Sequence, residues 1–135
     1  RGLLPPDARP LFRRGRIHRT GRGGRVIVDD WRLRFDDYEF QPESGELWRD
    51  GRPIRLQPQP AALLAELLRT PGRVVRRETL YEALWPERIV EYEQALNFAV
   101  ARLRKALGDD ASDPRWIQTV PHVGYRFIGH VEELR

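Results

Sequence analysis

The sequence predicts an α+β fold in which a small antiparallel sheet is followed by three helices and a closing hairpin. Three observations carry that expectation. Short aromatic-rich runs between residues 31 and 56 alternate apolar with polar and are broken by turn dipeptides. Residues 60 to 107 carry helical spacing interrupted by proline and glycine. Residues 116 to 128 return to alternation around a tight tip.

The sheet begins near Trp31. Its strands read Trp31-Arg32-Leu33-Arg34-Phe35, Tyr38-Glu39-Phe40, Glu46-Leu47-Trp48-Arg49 and Arg52-Pro53-Ile54-Arg55-Leu56, with Asp36-Asp37, Ser44-Gly45 and Asp50-Gly51 as turns. The pattern turns an aromatic face inward, and Pro53 implies that the last strand is an edge or begins irregularly. A first helix starts near Pro60, a favoured first-turn residue, and runs through Leu68 until Thr70-Pro71-Gly72 stops it. A second covers about Arg77 to Trp85, with Leu80 and Leu84 inward, and Pro86 ends it. A third spans about residues 93 to 107 and stops at Gly108. The hairpin follows at about 116 to 128, its tip Pro121-His122-Val123-Gly124, where Gly124 suits a tight turn.

Composition bounds the chemistry. At 135 residues and 40% hydrophobic, the chain supports one domain with a core. No apolar run approaches the roughly 18 residues of a membrane-spanning helix. The absence of cysteine excludes disulfides and thiolate metal sites. His18, His122 and His130 lack metal-ligand spacing, and Ser44 and Ser112 lie in turn contexts with no oriented base, so neither metal, cofactor nor catalysis is expected. The chain opens on Arg1 and has no methionine, which reads as a fragment of a longer product. No N-terminal apolar signal region is present, so the cytoplasm is the expected location.

The net charge of +4 is unevenly placed. Residues 1 to 25 hold eight arginines against Asp7, a balance of +7, which leaves −3 for the remainder. With their prolines and the Gly21-Arg22-Gly23-Gly24 cluster, residues 1 to 30 read as a flexible tail or linker, or as a basic arm that also touches phosphates. The domain proper is 31 to 135. DNA affinity cannot be inferred from bulk basicity here.

The third helix is the informative one. Leu96, Val100, Leu103 and Leu107 form a core stripe. At about 100° per residue, Gln94, Phe98, Ala101 and Lys105 point away from it, flanked by Asn97, Arg102 and Arg104. Amide, guanidinium and outward aromatic groups on one face suit base edges in a major groove. On its own, a basic helix face is more often plain solvated surface. Its place after two helices and before a hairpin completes a winged helix-turn-helix order, in which the third helix enters the major groove and the hairpin wing meets the backbone or minor groove.

The segments PGRVVRRETLYEALW (71–85), LRKALGDD (103–110) and PRWIQTVPHVGYRF (114–127) resemble the OmpR/PhoB-type transcriptional regulatory C-terminal domain, over roughly residues 33 to 129. The stretch QALNFAVARLRKALGDDASDPRWIQTVP is most similar to one-component regulators of the CadC and ToxR kind. The resemblance implies a four-stranded N-terminal sheet and a bacterial regulator that binds promoter DNA sequence-specifically, often as two copies on repeated half-sites. Base contacts would come from Gln94, Asn97, Phe98 and Arg102. Phosphate contacts would come from Arg104, Lys105 and, in the wing, Thr119. The family's minor-groove arginine is replaced by Pro121, leaving His122 as its substitute. Tyr125 and Phe127 would anchor the wing. The loop Trp85, Pro86, Glu87, Arg88 and Ile89 matches the segment that touches RNA polymerase. Ile89 and Val90 would be a docking patch there, or buried. Two other readings stay open: a winged helix that binds protein, and a regulatory module of a larger sensor or enzyme.

Overall fold

The computed structural model describes residues 17–20, 25–28, 31–87 and 91–134. Strands β1 (Ile17–Thr20) and β2 (Arg25–Val28) pair antiparallel in a sheet of their own. The sequence reading expected no strand before Trp31. The β-branched run Val26-Ile27-Val28 favours extended backbone, but its glycine- and arginine-rich surroundings concealed the pattern.

The expected meander follows as β3 (Arg32–Phe35), β4 (Tyr38–Gln41), β5 (Glu46–Arg49) and β6 (Arg52–Ile54), each antiparallel to the next. Asp50 and Gly51 both take positive φ, 51° and 79°, as two-residue type I′ hairpin turns require. Pro53 sits on the edge strand β6, where its missing N–H costs no ladder bond. Leu33, Phe35, Tyr38, Phe40 and Leu47 form the buried face.

Helix α1 (Pro58–Arg69) starts two residues before Pro60, because Pro58 and Pro60 both fit a first turn whose N–H groups have no intrahelical acceptor. Its Leu63, Leu64, Leu67 and Leu68 are fully buried. Helices α2 (Arg77–Leu84) and α3 (Tyr92–Leu107) pack against α1 through Leu80, Leu84, Leu96, Ala99, Val100 and Leu103. The α3 stripe predicted from spacing is the buried one. After it, Asp109 N–H donates to Arg104 O at 2.8 Å and Gly108 N–H to Lys105 O at 3.2 Å, closing the helix in a Schellman arrangement.

Two further strands, beyond β1 and β2, differ from the sequence expectation, each of them too short for alternation to show. β7 (Val75–Arg76), just before α2, pairs with the wing strand β9 (Gly124–Phe127), which also pairs with β8 (Ile117–Val120). β10 (Glu132–Leu134) joins β3, so the four-stranded sheet gains a fifth strand, in the order β10-β3-β4-β5-β6. An Arg34–Glu132 ion pair at 2.9 Å spans that join. Among the described residues, no helix is long and apolar enough to cross a membrane.

Sheet and helices are tied by Tyr38, whose buried hydroxyl donates to Leu107 O at 2.8 Å at the C-terminal end of α3. Burial raises the Tyr38 pKa above its ordinary value of 10.0. A raised folded-state pKa means that the folded chain holds this proton more tightly than the unfolded chain. The stabilisation is therefore complete below about pH 10 and is lost as pH climbs through the raised value. Urea titrations should show stability falling above pH 10, with a smaller fall in Tyr38→Phe.

Candidate nucleic-acid interface

The wing is built on an aromatic junction. Phe35 contacts Tyr38 (ring centroids 5.3 Å apart), Trp116 (5.1 Å) and Phe127 (5.1 Å), and Trp116 stacks on Phe127 at 5.9 Å. Just before β8, the Asp109 carboxylate accepts backbone N–H groups from Arg115 (2.7 Å), Trp116 (3.2 Å) and Ile117 (2.8 Å). Asp109 thus fixes where the wing leaves the helix. Asp110 caps Ser112, whose backbone N–H and hydroxyl hold the Asp110 pKa below the usual carboxylate value.

Gly124 has a different reason from the one expected. The left-handed residue at the wing tip is His122, with φ 66°, while Gly124 has no positive φ. A Cβ on Gly124 would overlap the carbonyl oxygen of Val75 across the β7–β9 pair, so glycine is needed for close backbone approach. Tyr125 and Phe127 are buried and anchor the wing as expected. Pro121, His122 and Val123 are exposed at its tip.

On α3, Gln94, Asn97, Phe98, Ala101, Arg102 and Lys105 are all exposed. Phe98 stands 61% exposed, uncovered by the wing, and the Arg102 guanidinium lies 4.5 Å from its ring centroid. This cation–π contact preorganises the arginine on the exposed face. A groove of about 330 Å³ beside it is lined by Gln57, Gln59, Trp85, Phe98 and Arg102 among others. A neighbouring one reaches Arg55 and Lys105.

Arg104 points elsewhere. Its Nη2 donates to Ile117 O at 2.8 Å and to Thr119 Oγ1 at 2.9 Å, so it links α3 to β8. Because the Thr119 oxygen accepts this bond, its O–H remains a donor on an exposed side chain.

Sequence reasoning missed Arg77. From the first turn of α2 its guanidinium donates to Tyr81 OH (3.4 Å), Tyr125 OH (3.3 Å) and Asn97 Oδ1 (3.0 Å), joining α2, wing and α3. Spacing along one helix cannot reveal a bond between residues 20 positions apart on two elements. In the α2–α3 loop, Trp85 is half-buried and Pro86 and Glu87 are exposed, while Arg88, Ile89 and Val90 lie outside the described residues.

Residues 51–127 match the family model described as transcriptional regulatory protein, C terminal. The transcriptional regulatory protein CutR of Streptomyces coelicolor is 36% identical over 88 residues, covering 65% of this chain and 39% of CutR. The chain thus spans about two fifths of the length of the curated relatives it matches first. Among solved structures, the DNA-binding domain of Klebsiella pneumoniae RstA, in complex with its RstA box, superposes with a TM-score of 0.65. It is 27% identical over 73% of this chain and 98% of that domain. The DNA-binding domain of E. coli CadC gives 0.64 and 28%, covering 75% and 94%.

Gly124→Ala forces the β7–β9 pair apart and should cost about 1–3 kcal/mol, the range for overpacking a close contact. A lowered urea midpoint at unchanged slope would show it.

Proposed function

The chain belongs to the OmpR/PhoB-type family of transcriptional regulatory protein C-terminal domains, and from that premise we propose that it binds promoter DNA sequence-specifically as part of a bacterial transcription regulator. The observation that carries this reading is the exposed stripe of α3, with Arg102 stacked on Phe98 and the wing alongside. In the complex, α3 lies in the major groove. Arg102 is a donor fork for a guanine edge and Phe98 an apolar surface for a thymine methyl group, with Gln94 and Asn97 beside them. The free Thr119 hydroxyl hydrogen and the Lys105 ammonium meet backbone phosphates. Arg104 acts at that phosphate through Thr119, which its Nη2 orients. His122 substitutes at the wing tip for a minor-groove arginine.

Trp85, Pro86 and Glu87 supply the accessible part of a surface for RNA polymerase. A second copy on a repeated half-site completes the proposed assembly, which acts in the cytoplasm. A protein-binding reading is favoured by one feature, the groove between Trp85, Phe98 and Gln57, which offers an apolar seat beside polar groups. It predicts no electrophoretic shift with promoter duplex even at low salt.

Titrations of duplex DNA at several salt concentrations separate the two. Log affinity should fall linearly with log salt, with a slope of about −0.9 per phosphate neutralised. Arg102→Ala should lose roughly 5- to 150-fold in affinity for the selected site, while Phe98→Ala should relax sequence preference more than overall affinity. If both variants match the parent in affinity and preference, the assignment of this face is wrong.

A further inference from the structure

The bond between Arg77 and Asn97 fixes more than position. An arginine side chain only donates, so the Asn97 amide must turn its oxygen toward Arg77. Arg77 Nη2 to Asn97 Oδ1 is 3.0 Å, and Tyr125 OH approaches the same oxygen at 3.4 Å. Arg77 is itself held by Tyr81 and Tyr125, while its backbone N–H donates to Val123 O at 2.9 Å and fixes its Cα beside the wing, so moving the guanidinium off Asn97 also gives up its two tyrosine contacts. The Asn97 side chain is exposed on the α3 face that runs past the wing. Among the described residues, no acceptor takes its Nδ2.

The usual recognition of adenine by asparagine needs both ends of the amide, oxygen accepting from N6–H and nitrogen donating to N7. In this chain the oxygen is committed within the protein. We propose that Asn97 is a donor-only specificity residue, which selects guanine or thymine over adenine and cytosine as the base it faces on one strand, and so fixes the strand orientation of that base pair. Guanine offers two acceptors, N7 and O6, and thymine offers O4. Cytosine presents only its N4 amino group, which would meet the amide N–H donor to donor. Adenine sets its N6 amino group beside its one acceptor. Arg77 is then a positioning residue for base readout. The inference rests on the reading of α3 as the major-groove helix.

The test is selection of bound duplexes from random sequence with the 135-residue chain, the parent compared with Asn97→Ala, Asn97→Asp and Arg77→Ala, each checked for folding by thermal melt. Asn97→Ala should flatten one motif position, losing about tenfold discrimination there, and the parent should hold guanine or thymine at that position. Asn97→Asp keeps an acceptor facing Arg77 but turns the outward group from donor to acceptor. Preference should invert to cytosine or adenine with no loss of thermal stability. Arg77→Ala frees the oxygen, and adenine should become acceptable at the same position. Should Arg77→Ala fail to fold, the two Asn97 variants decide the matter alone.

An Asn97→Asp motif that keeps the parent's base at the Asn97-dependent position, read in the same orientation as the rest of the motif, overturns the inference. So does an even loss of affinity over all sequences, which marks a phosphate contact, and so does a motif untouched by either Asn97 variant. In each of those cases the major-groove reading survives. A parent chain that selects no motif removes that reading, and the inference with it.

Discussion

The junction of Phe35, Tyr38, Trp116 and Phe127 is where the parts of this domain become one object. The N-terminal sheet contributes two of these rings and the wing two, and Tyr38 reaches past them to the last carbonyl of α3. Asp109 adds a polar clamp, accepting three N–H groups as the chain passes from helix to wing. Side chains and backbone groups that would otherwise be strained or unsatisfied are thereby settled at one corner. The exposed face of α3 is left at a defined angle to β8 and β9.

Polar groups at the interface divide into those that hold the protein together and those left over for a partner. Arg104 and Arg77 spend much of their hydrogen-bonding capacity on Ile117, Thr119, Tyr81, Tyr125 and Asn97. Arg102 and Lys105 stay exposed, the former resting on Phe98. With residues 26 to 135 carrying −3, the useful positive charge is local rather than general. Such a surface relies on placed donors more than on a broad field, which favours discrimination over indiscriminate attachment.

How much of this was legible in the sequence differs by element. Strands β3 to β6 were readable because their alternation and turn residues are local signals, and α3 because its apolar spacing spans about three turns. β7 and β10 were not. Each is two or three residues, too few for a pattern to show, that become strands through a partner far away in the chain. The exposed positions Gln94, Phe98, Arg102 and Lys105 followed from helical geometry alone. The roles of Arg77, Asp109 and Gly124 did not, since each depends on what the fold brings opposite it. Gly124 shows the difference well: a turn was the local guess, whereas the cause is the carbonyl of Val75.

The β7–β9 pair sets the wing and the start of α2 in a single ladder, with no linker between Arg76 and Arg77 to absorb movement. On the proposed docking, a duplex seated on α3 and the wing meets a wing that this ladder holds in place. Whatever mismatch exists in groove width or curvature has to be taken up by the DNA. The cost of that bending depends on the stacking and flexibility of base steps lying between α3 and the wing. Stiffness in a four-residue strand would thus be expressed as a preference for deformable sequence at base pairs that no side chain touches.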